Sequence, residues 1–194
     1  MAKQQKGLSF YNKENRITST NIYSVFSWAF VMGVAVLLAF FCVSLYGIQT
    51  TVVGNSMEPS LFNGQVLFLD RAVYAIFSPQ YGDVVAFRPN GNTNAHFSVK
   101  RVLGVPGDTV EIKGGVFYRN GERQDGLFDD QIADPGVAGD PVLLGEDEYF
   151  VMGDNCNSSE DSRSANLGNV KKEHIVGKAW LHMAGGEAGI GRVK

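Results

Sequence analysis

The sequence predicts a mainly β protein, with a single N-terminal transmembrane helix followed by a compact, largely antiparallel β domain. Two observations carry this prediction. No charged residue lies between Arg16 and Glu58, and a long apolar run occupies most of this gap. From Gln65 onward the chain has short β-branched segments separated by Gly, Pro and Asn turn signals, and no long amphipathic helical pattern follows the run.

The apolar run extends from Val25 to Tyr46 and leaves only two Ser and one Gly outside the apolar set. As a helix it would be roughly 33 Å long, which is enough to cross a hydrocarbon core of about 30 Å. A buried core helix is the alternative, but such helices usually keep a polar face. We therefore expect residues 25–46 to span a membrane.

The charges that flank the run predict its orientation. Four basic residues precede it: Lys3, Lys6, Lys13 and Arg16. Only one acid, Glu14, accompanies them, so the positive-inside rule predicts that residues 1–24 are cytoplasmic and residues 47–194 extracytoplasmic. A cleavable signal peptide is the rival interpretation, but its apolar region is only about 7–15 residues long. The longer run favours an uncleaved, single-pass anchor in the cell membrane.

Seven segments of the external domain are predicted as strands, because β-branched and aromatic residues recur there between turn signals. They are Gln65–Asp70, Val84–Phe87, Phe97–Val105, Thr109–Lys113, Val116–Tyr118, Tyr149–Met152 and Val176–His182. The dipeptide Asn120-Gly121 is a strong hairpin signal. Since an open sheet exposes unpaired edges, we expect the sheet to be closed or coiled.

Two segments of the domain fit this pattern less well. The apolar segment Ala72–Phe77 is interpreted as core, with a patch that dips into the outer leaflet of the membrane as the alternative. The segment from Gln124 to Leu144 contains five Asp residues together with Gly and Pro. It is interpreted as a solvated loop or insert (residues 124–144).

Composition argues against several classes of function. The net charge is -3 at pH 7 and no basic cluster with interleaved aromatics occurs, so nucleic acid is not an expected partner. Two cysteines, Cys42 and Cys156, are too few for a disulfide framework. Together with three scattered histidines they give no metal-ligand spacing, so neither a metal nor a cofactor is expected.

A candidate nucleophile, Ser56, lies in the stretch Gly54–Leu61. Glycine frees the backbone and proline restricts it, so the hydroxyl is presented on a defined bend, although ordinary turns share this composition. A serine needs a base within hydrogen-bond reach. The histidines His96, His174 and His182 lie in polar stretches or near the C-terminus, and none has a convincing carboxylate partner.

Lysine is the alternative base, provided that burial lowers its pKa enough to make it neutral. Lys100 lies in an apolar strand segment, where Ser98, Lys100 and Val102 face one way and their neighbours the other. Lys100 is thus able to point inward while Arg101 takes solvent or a carboxylate. A surface position for both cations is the alternative.

The third element is the polar loop Gly153–Arg163, whose small side chains can make many hydrogen bonds to the backbone. Within it, Asp161 and Arg163 are spaced to form an ion pair, and a hydroxyl of the loop could orient the lysine amine. By composition alone, the loop is equally compatible with a surface turn.

The chain resembles bacterial type I signal peptidases, and in particular their single-anchor, Gram-positive form. Five ordered motifs carry the resemblance: Gly-Asn-Ser-Met-Glu-Pro-Ser-Leu (54–61), Gly-Asp-Val-Val-Ala-Phe (82–87), Val-Lys-Arg-Val-Leu-Gly-Val-Pro-Gly-Asp (99–108), Tyr-Phe-Val-Met-Gly-Asp-Asn (149–155) and Ser-Glu-Asp-Ser-Arg (159–163). The resemblance implies a membrane-bound serine protease with a largely β catalytic domain that removes signal peptides from exported pre-proteins. It makes Ser56 the nucleophile and Lys100 the general base.

Further roles follow from the resemblance. Ser159 would orient the lysine amine, and Met57 would help pack the floor of the site. Asp161 and Arg163 would brace the site by an ion pair. A substrate would bind as an extended strand, with small residues at −3 and −1 in shallow apolar pockets. The candidate pocket residues are Val52, Leu61, Ser98 and Val99.

Two positions depart from the family pattern. Gly54 replaces a Ser whose hydroxyl assists the oxyanion in some relatives, so the Ser56 N–H, alone or together with a water or a nearby donor, would have to serve instead. Cys156 stands where Arg is frequent, and it introduces an exposed-looking thiol without an evident partner.

Three rival functions stay open at the level of sequence. Self-cleaving Ser/Lys repressors share a related β core, but they are soluble and carry DNA-binding modules. A non-catalytic, membrane-tethered β domain that binds exported peptides would explain the anchor and the sheet, but it would not need both Ser56 and Lys100. A dedicated peptidase for a few clients, such as pilins, is the third.

Overall fold

A computed structural model describes residues 19–185 and 189–193 of the chain, which divides after Cys42 into two compact units. The described residues of the first unit belong to helix α1, Ser19–Tyr46, which begins earlier than the predicted span. Its segment Tyr23–Val43, 21 residues long, has the length and composition to cross a membrane, and its side chains are exposed. Much of the predicted cytoplasmic segment, residues 1–24, lies outside the described residues.

The second unit is built from short strands and one five-residue helix, α2 (Ala72–Ile76). The strands are β1 (Gly47–Thr51), β2 (Val66–Asp70), β3 (Val84–Phe87), β4 (Ser98–Gly104), β5 (Thr109–Lys113), β6 (Val116–Arg119), β7 (Glu122–Arg123), β8 (Val142–Leu143), β9 (Glu148–Met152), β10 (Val170–Lys171), β11 (Ile175–His182) and β12 (Gly191–Arg192). Each of the predicted segments forms a strand whose ends agree with the prediction to within one residue. The short strands β1, β7, β8, β10 and β12 were not predicted.

Two antiparallel sheets organise these strands. The larger one has the order β1-β2-β11-β3-β4-β9-β10, with β12 paired to β11, and the smaller one has the order β7-β6-β5-β8. Strand β4 lies between β3 and β9, and Lys100 pairs with Val85 across the ladder. The predicted fold class is confirmed: the domain is mainly antiparallel β, and one N-terminal apolar helix precedes it.

One core cluster packs the bend Gly54–Leu61, which contains the candidate nucleophile Ser56, against the larger sheet. The bend contributes Met57 and Leu61, both fully buried, and the strands contribute Leu67, Leu69 and Val99 among others. On β2 the buried leucines alternate with half-buried residues, as expected for a strand with one face on the core. A buried side chain of this size contributes about 1.5–3 kcal/mol, so the cluster holds the bend firmly against the sheet.

The segment Ala72–Phe77 is not core, contrary to the sequence-based interpretation. It forms the single turn α2, from which Tyr74 packs against a core cluster, whereas Ile76 is 78% and Phe77 61% exposed. One helical turn can bury only one side, so Ala75, Ile76 and Phe77 are left exposed, while Ala72 and Val73 are half-buried. The chain leaves the helix at Phe77, just before Ser78-Pro79, which cannot continue it.

Residues 124–144 are more closely packed than a solvated loop would be. They connect β7 to β9 and include β8 and a short 3₁₀ turn, Gly136–Gly139. Ile132, Ala138 and Leu144 are buried in a core cluster next to the smaller sheet, because apolar residues are interspersed among the Asp residues. The insert therefore forms part of the folded domain.

Candidate active site

The bend at Ser56 is held by hydrogen bonds on both sides. Gly54 has a φ of +84°, which favours glycine, and its N–H donates to Asn63 Oδ1 at 3.0 Å. After the serine, the Leu61 N–H donates to the Met57 carbonyl at 2.8 Å. The Asn155 N–H donates to the Ser56 carbonyl at 3.0 Å, so the bend is tied directly to the polar loop 153–163.

Gly153 makes this close approach of loop and bend possible. A Cβ on Gly153 would overlap the Ser56 carbonyl oxygen, and it would also overlap Ser159 Oγ. Only a residue without a side chain fits between these groups. The sequence placed Gly153 at the start of a polar loop but gave no sign of this contact, which depends on how the loop packs.

Lys100 Nζ lies 2.6 Å from Ser56 Oγ, although the two residues are 44 positions apart. Strand β4 aims the side chain inward, and Lys100 is only 6% exposed. Burial lowers the pKa of Lys100 below its ordinary value of 10.5, because the charged ammonium loses its hydration. The carboxylates of Asp161, Glu160 and Asp154 oppose this shift of the Lys100 pKa, and Arg163 reinforces it.

Arg101, next along the strand, points to the opposite face and meets a carboxylate. Its Nε lies 2.7 Å from Asp154 Oδ1 and its Nη2 lies 2.6 Å from Asp154 Oδ2, a two-pronged ion pair. Arg101 Nη1 also donates to the Gly82 carbonyl at 3.0 Å. Because Asp154 follows Gly153, this pair fastens the loop to the strand that carries Lys100.

Asp161 and Arg163 form a second two-pronged ion pair. Arg163 Nε lies 2.8 Å from Asp161 Oδ1, and Nη2 lies 2.9 Å from Oδ2, with the two residues only 1% and 7% exposed. Asp161 Oδ2 also accepts the Gly153 N–H at 3.2 Å. The pair therefore fixes the same glycine that packs against Ser56.

The insert braces Arg163 from its other side. Arg163 Nη1 donates to the Asp134 carbonyl at 3.0 Å, and the Val137 N–H donates to the Arg163 carbonyl at 2.9 Å. Gly136, with a φ of +54°, lies so close to that carbonyl that a Cβ would overlap it. The Asp-rich composition of the insert gives no indication of these contacts with Arg163.

Cys156 is buried, contrary to the exposed thiol that the sequence suggested. It is 3% exposed, and its Sγ lies 3.8 Å from the Asp130 carbonyl of the insert. Its polar sequence neighbours point to a surface loop, but the insert covers this position. Burial raises the pKa of the Cys156 thiol, and its carbonyl accepts a hydrogen bond from Arg163 Nη2.

Ser159 Oγ is buried, and no described residue gives it a hydrogen bond. It lies next to Gly153, as Ser56 does. Buried hydroxyls without a partner are uncommon in folded proteins, so we expect Ser159 Oγ to form a hydrogen bond with a further group.

Ser56 and Lys100 border a cleft of about 370 Å³. Of the four predicted pocket residues, Ser98 lines this cleft, whereas Val52, Leu61 and Val99 belong to the core cluster that holds the bend. None of the three histidines lines it. A larger groove of about 620 Å³ lies beside α2, but it contains neither Ser56 nor Lys100, and so the smaller cleft is the candidate site.

Comparison with known proteins identifies the family. The family model described as "Signal peptidase, peptidase S26" matches residues 25–184. Signal peptidase I P from Bacillus subtilis subsp. natto is 34% identical over 175 residues, which cover 86% of this chain and 91% of that protein. Signal peptidase I S from Bacillus subtilis (strain 168) is 37% identical over 168 residues, covering 79% of this chain and 86% of that protein.

A crystal structure of a signal peptidase I from Enterococcus faecalis V583 is also similar. It has 30% sequence identity and a TM-score of 0.42, and the match covers 53% of this chain and 97% of that one. Signal peptidase I homologues are membrane-anchored, and this chain carries one N-terminal apolar helix. The chain belongs to the signal peptidase family, peptidase S26, whose members are serine endopeptidases that cleave signal peptides.

Proposed function

We propose that residues 47–194 form an extracytoplasmic catalytic domain that cleaves signal peptides by acyl transfer, with Ser56 as nucleophile and Lys100 as general base. The observation that carries the proposal is the 2.6 Å separation of Lys100 Nζ and Ser56 Oγ at a buried position that lowers the pKa of Lys100. A lysine accepts a proton only as the neutral amine, and burial favours that form. Both residues also border the cleft, where Oγ can meet a substrate carbonyl.

The reaction has two halves. In the first, neutral Lys100 takes the Ser56 hydroxyl proton while Oγ bonds to the scissile carbonyl carbon. The ammonium then returns that proton to the leaving amine as the C–N bond breaks, which leaves an acyl ester on Ser56. In the second, Lys100 takes a proton from water, the hydroxide displaces Oγ from the acyl carbon, and the proton returns to Ser56.

Ser159 is proposed to orient the Lys100 amine through a hydrogen bond. Its buried Oγ has no partner among the described residues, and it shares with Ser56 the contact at Gly153. An unsatisfied buried hydroxyl costs about 1–3 kcal/mol, and a bond to Nζ would remove this cost. The same bond would direct the amine lone pair at Ser56 Oγ.

Asp161 and Arg163 are proposed to brace this arrangement without touching the substrate. Their buried ion pair contacts the Gly153 N–H, and Gly153 in turn packs against Ser56. Met57 is proposed to hold the bend from below, since its side chain is fully buried in the core cluster.

The oxyanion is proposed to be stabilised by the Ser56 N–H, because Gly54 offers no side-chain donor. This N–H makes no hydrogen bond to another described residue, so it is available to a developing negative charge. The glycine leaves this site with fewer fixed donors than relatives that have a Ser at this position.

Substrates are proposed to lie in the cleft as an extended strand, with small side chains at −3 and −1 directed towards Ser98. Val52, Leu61 and Val99 are buried in the core cluster and do not line the cleft, so no direct contact with the substrate is proposed for them. Main-chain hydrogen bonds give an affinity that does not depend on the substrate sequence, whereas the alternate side chains of the substrate give selectivity. Residues 25–46 are proposed to anchor the enzyme in the lipid, with residues 1–24 in the cytoplasm. Confinement to the membrane raises the effective concentration of an inserted signal peptide.

The test compares Ser56→Ala and Lys100→Ala with the wild type on a pre-protein in detergent or liposomes. Each variant is expected to lose cleavage by at least about 1000-fold, since either partner is needed to form the ester. A second Ser–Lys pair supplies the control: Lys172 Nζ donates to Ser78 Oγ at 3.1 Å outside the cleft. Ser78→Ala and Lys172→Ala should keep near-wild-type cleavage. Appreciable turnover by Ser56→Ala or Lys100→Ala would refute the dyad.

A further inference from the structure

Glu160 is the one acidic residue of the loop 153–163 that forms no ion pair with a described residue. Asp154 is paired with Arg101 and Asp161 with Arg163. Glu160 is exposed, and no described residue gives its carboxylate a hydrogen bond or an ion pair. It nevertheless lines the cleft that holds the candidate dyad.

Among the described residues that line this cleft, Lys100 and Glu160 are the only two with acidic or basic side chains. Lys100 must be neutral to act as a base, so the working cleft carries one net negative charge, on Glu160. A substrate that fills the cleft displaces water and lowers the effective dielectric constant around this carboxylate. Attraction to a cation is therefore stronger in the complex than at an ordinary protein surface.

We propose that Glu160 is a specificity-determining residue that favours pre-proteins with a Lys or Arg side chain close to the scissile bond. The inference rests on the proposed function and adds a preference for positive charge to it. The choice of small residues at −3 and −1 depends on apolar contacts, so the two preferences are independent. A partly exposed ion pair of this kind is expected to raise kcat/KM for a cationic substrate about two- to fivefold over that for a neutral one.

Pairing with a substrate cation would also act on Lys100. The Glu160 carboxylate favours the ammonium form and thus raises the pKa of Lys100, against the larger lowering by burial. The other charged groups that influence the amine are Asp161, Arg163 and Asp154, all of which are already held in ion pairs. A cation bound at Glu160 would cancel its field, so that the pKa of Lys100 falls further in the complex. Turnover of a cationic substrate should then persist to lower pH than turnover of a neutral one.

The experiment uses the full-length enzyme in detergent micelles and pairs of signal-peptide substrates that differ only by Lys or Gln. The substitution is made in turn at −2, +1 and +2. The wild type should prefer the Lys peptide by about two- to fivefold in kcat/KM at one or more of these positions, and less so at high salt. Glu160→Gln should abolish the preference, and Glu160→Lys should reverse it.

Glu146→Gln is the matched control, because Glu146 is also exposed but does not line the cleft. It should keep the wild-type preference. The role of Glu160 would be overturned if the wild type cleaved the Lys and Gln peptides with equal kcat/KM at every position. It would also be overturned if Glu160→Gln kept the wild-type preference, and the dyad would stand in both cases. Cleavage that survives in Ser56→Ala would instead overturn the proposed function, and the inference with it.

Discussion

Gly153 packs directly against the backbone carbonyl of Ser56. A Cβ at this glycine would overlap that oxygen and Ser159 Oγ together. The Gly153 N–H donates to Asp161 Oδ2, and the Asn155 N–H donates to the Ser56 carbonyl, so loop and bend are joined at several points. The position of the candidate nucleophile is therefore set by a glycine almost 100 residues further along the chain.

Replacing Gly153 with Ala should displace the bend. We expect kcat/KM to fall by about 100-fold or more, because a shift of the order of 1 Å in a reacting group has this effect. The matched control is Gly189→Ala, since a Cβ there meets no atom within 4 Å and the backbone is not left-handed. Wild-type kinetics of Gly153→Ala would show that the bend does not depend on this contact.

The buried Asp161–Arg163 ion pair should dominate the stability of the loop. Arg163→Met leaves the Asp161 carboxylate buried without its partner, so we expect the free energy of unfolding to fall by about 3–5 kcal/mol. Thermal or denaturant unfolding in detergent measures this loss. Arg123→Met is the control: the Arg123–Asp125 pair is exposed and screened by solvent, so removing it should leave the free energy of unfolding close to that of the wild type. Equal losses in the two variants would contradict the bracing role.

The insert should influence catalysis although it does not line the cleft. Gly136→Ala places a Cβ against the Arg163 carbonyl and forces a left-handed residue to carry a side chain. We expect a loss of activity of about tenfold or more, together with a lower unfolding temperature. Gly139→Ala, in the same 3₁₀ turn, makes only an ordinary contact with Pro135 at 3.5 Å and should have little effect. Equal activity of the Gly136→Ala and Gly139→Ala variants would contradict an influence of the insert on catalysis.

Local patterns were sufficient to predict most of the fold. The charge gap and the apolar run indicated the helix, and β-branched segments between turns indicated the longer strands. Strand β1, Gly47–Thr51, was missed because Gln49, Thr50 and Thr51 follow an apolar run without a turn signal of their own. Its pairing with β2 makes it a strand, and that pairing is not visible in the sequence.

The site was predictable only where chemistry restricts the residue type. An activated serine needs a base, and a lysine in an apolar strand can provide one, so Ser56 and Lys100 could be selected together. The contacts around them depend on segments distant in sequence. Neither the pairing of Arg101 with Asp154 nor the packing of Gly136 on Arg163 leaves a local signal. The burial of Cys156 was misjudged for the same reason, because the insert supplies the cover.

The central claim is that Lys100 is neutral when it takes the proton of Ser56. Burial lowers the pKa of Lys100 in the folded enzyme. Protonation below that pKa should abolish activity, and activity should appear as the pH rises through it. Removing a charge near the Lys100 amine should shift the pH dependence of activity in a known direction. The Glu160 carboxylate raises the pKa of Lys100, so the activity of the Glu160→Gln variant should rise at lower pH than that of the wild type.

The most direct measurement is the pH dependence of kcat/KM on a pre-protein, which reports groups of the free enzyme. We predict a single acid limb with a midpoint below the ordinary lysine pKa of 10.5, shifted to lower pH in Glu160→Gln and unshifted in Glu146→Gln. Activity that stays constant down to about pH 5, or a limb that Glu160→Gln does not move, would contradict the assignment of Lys100 as the base.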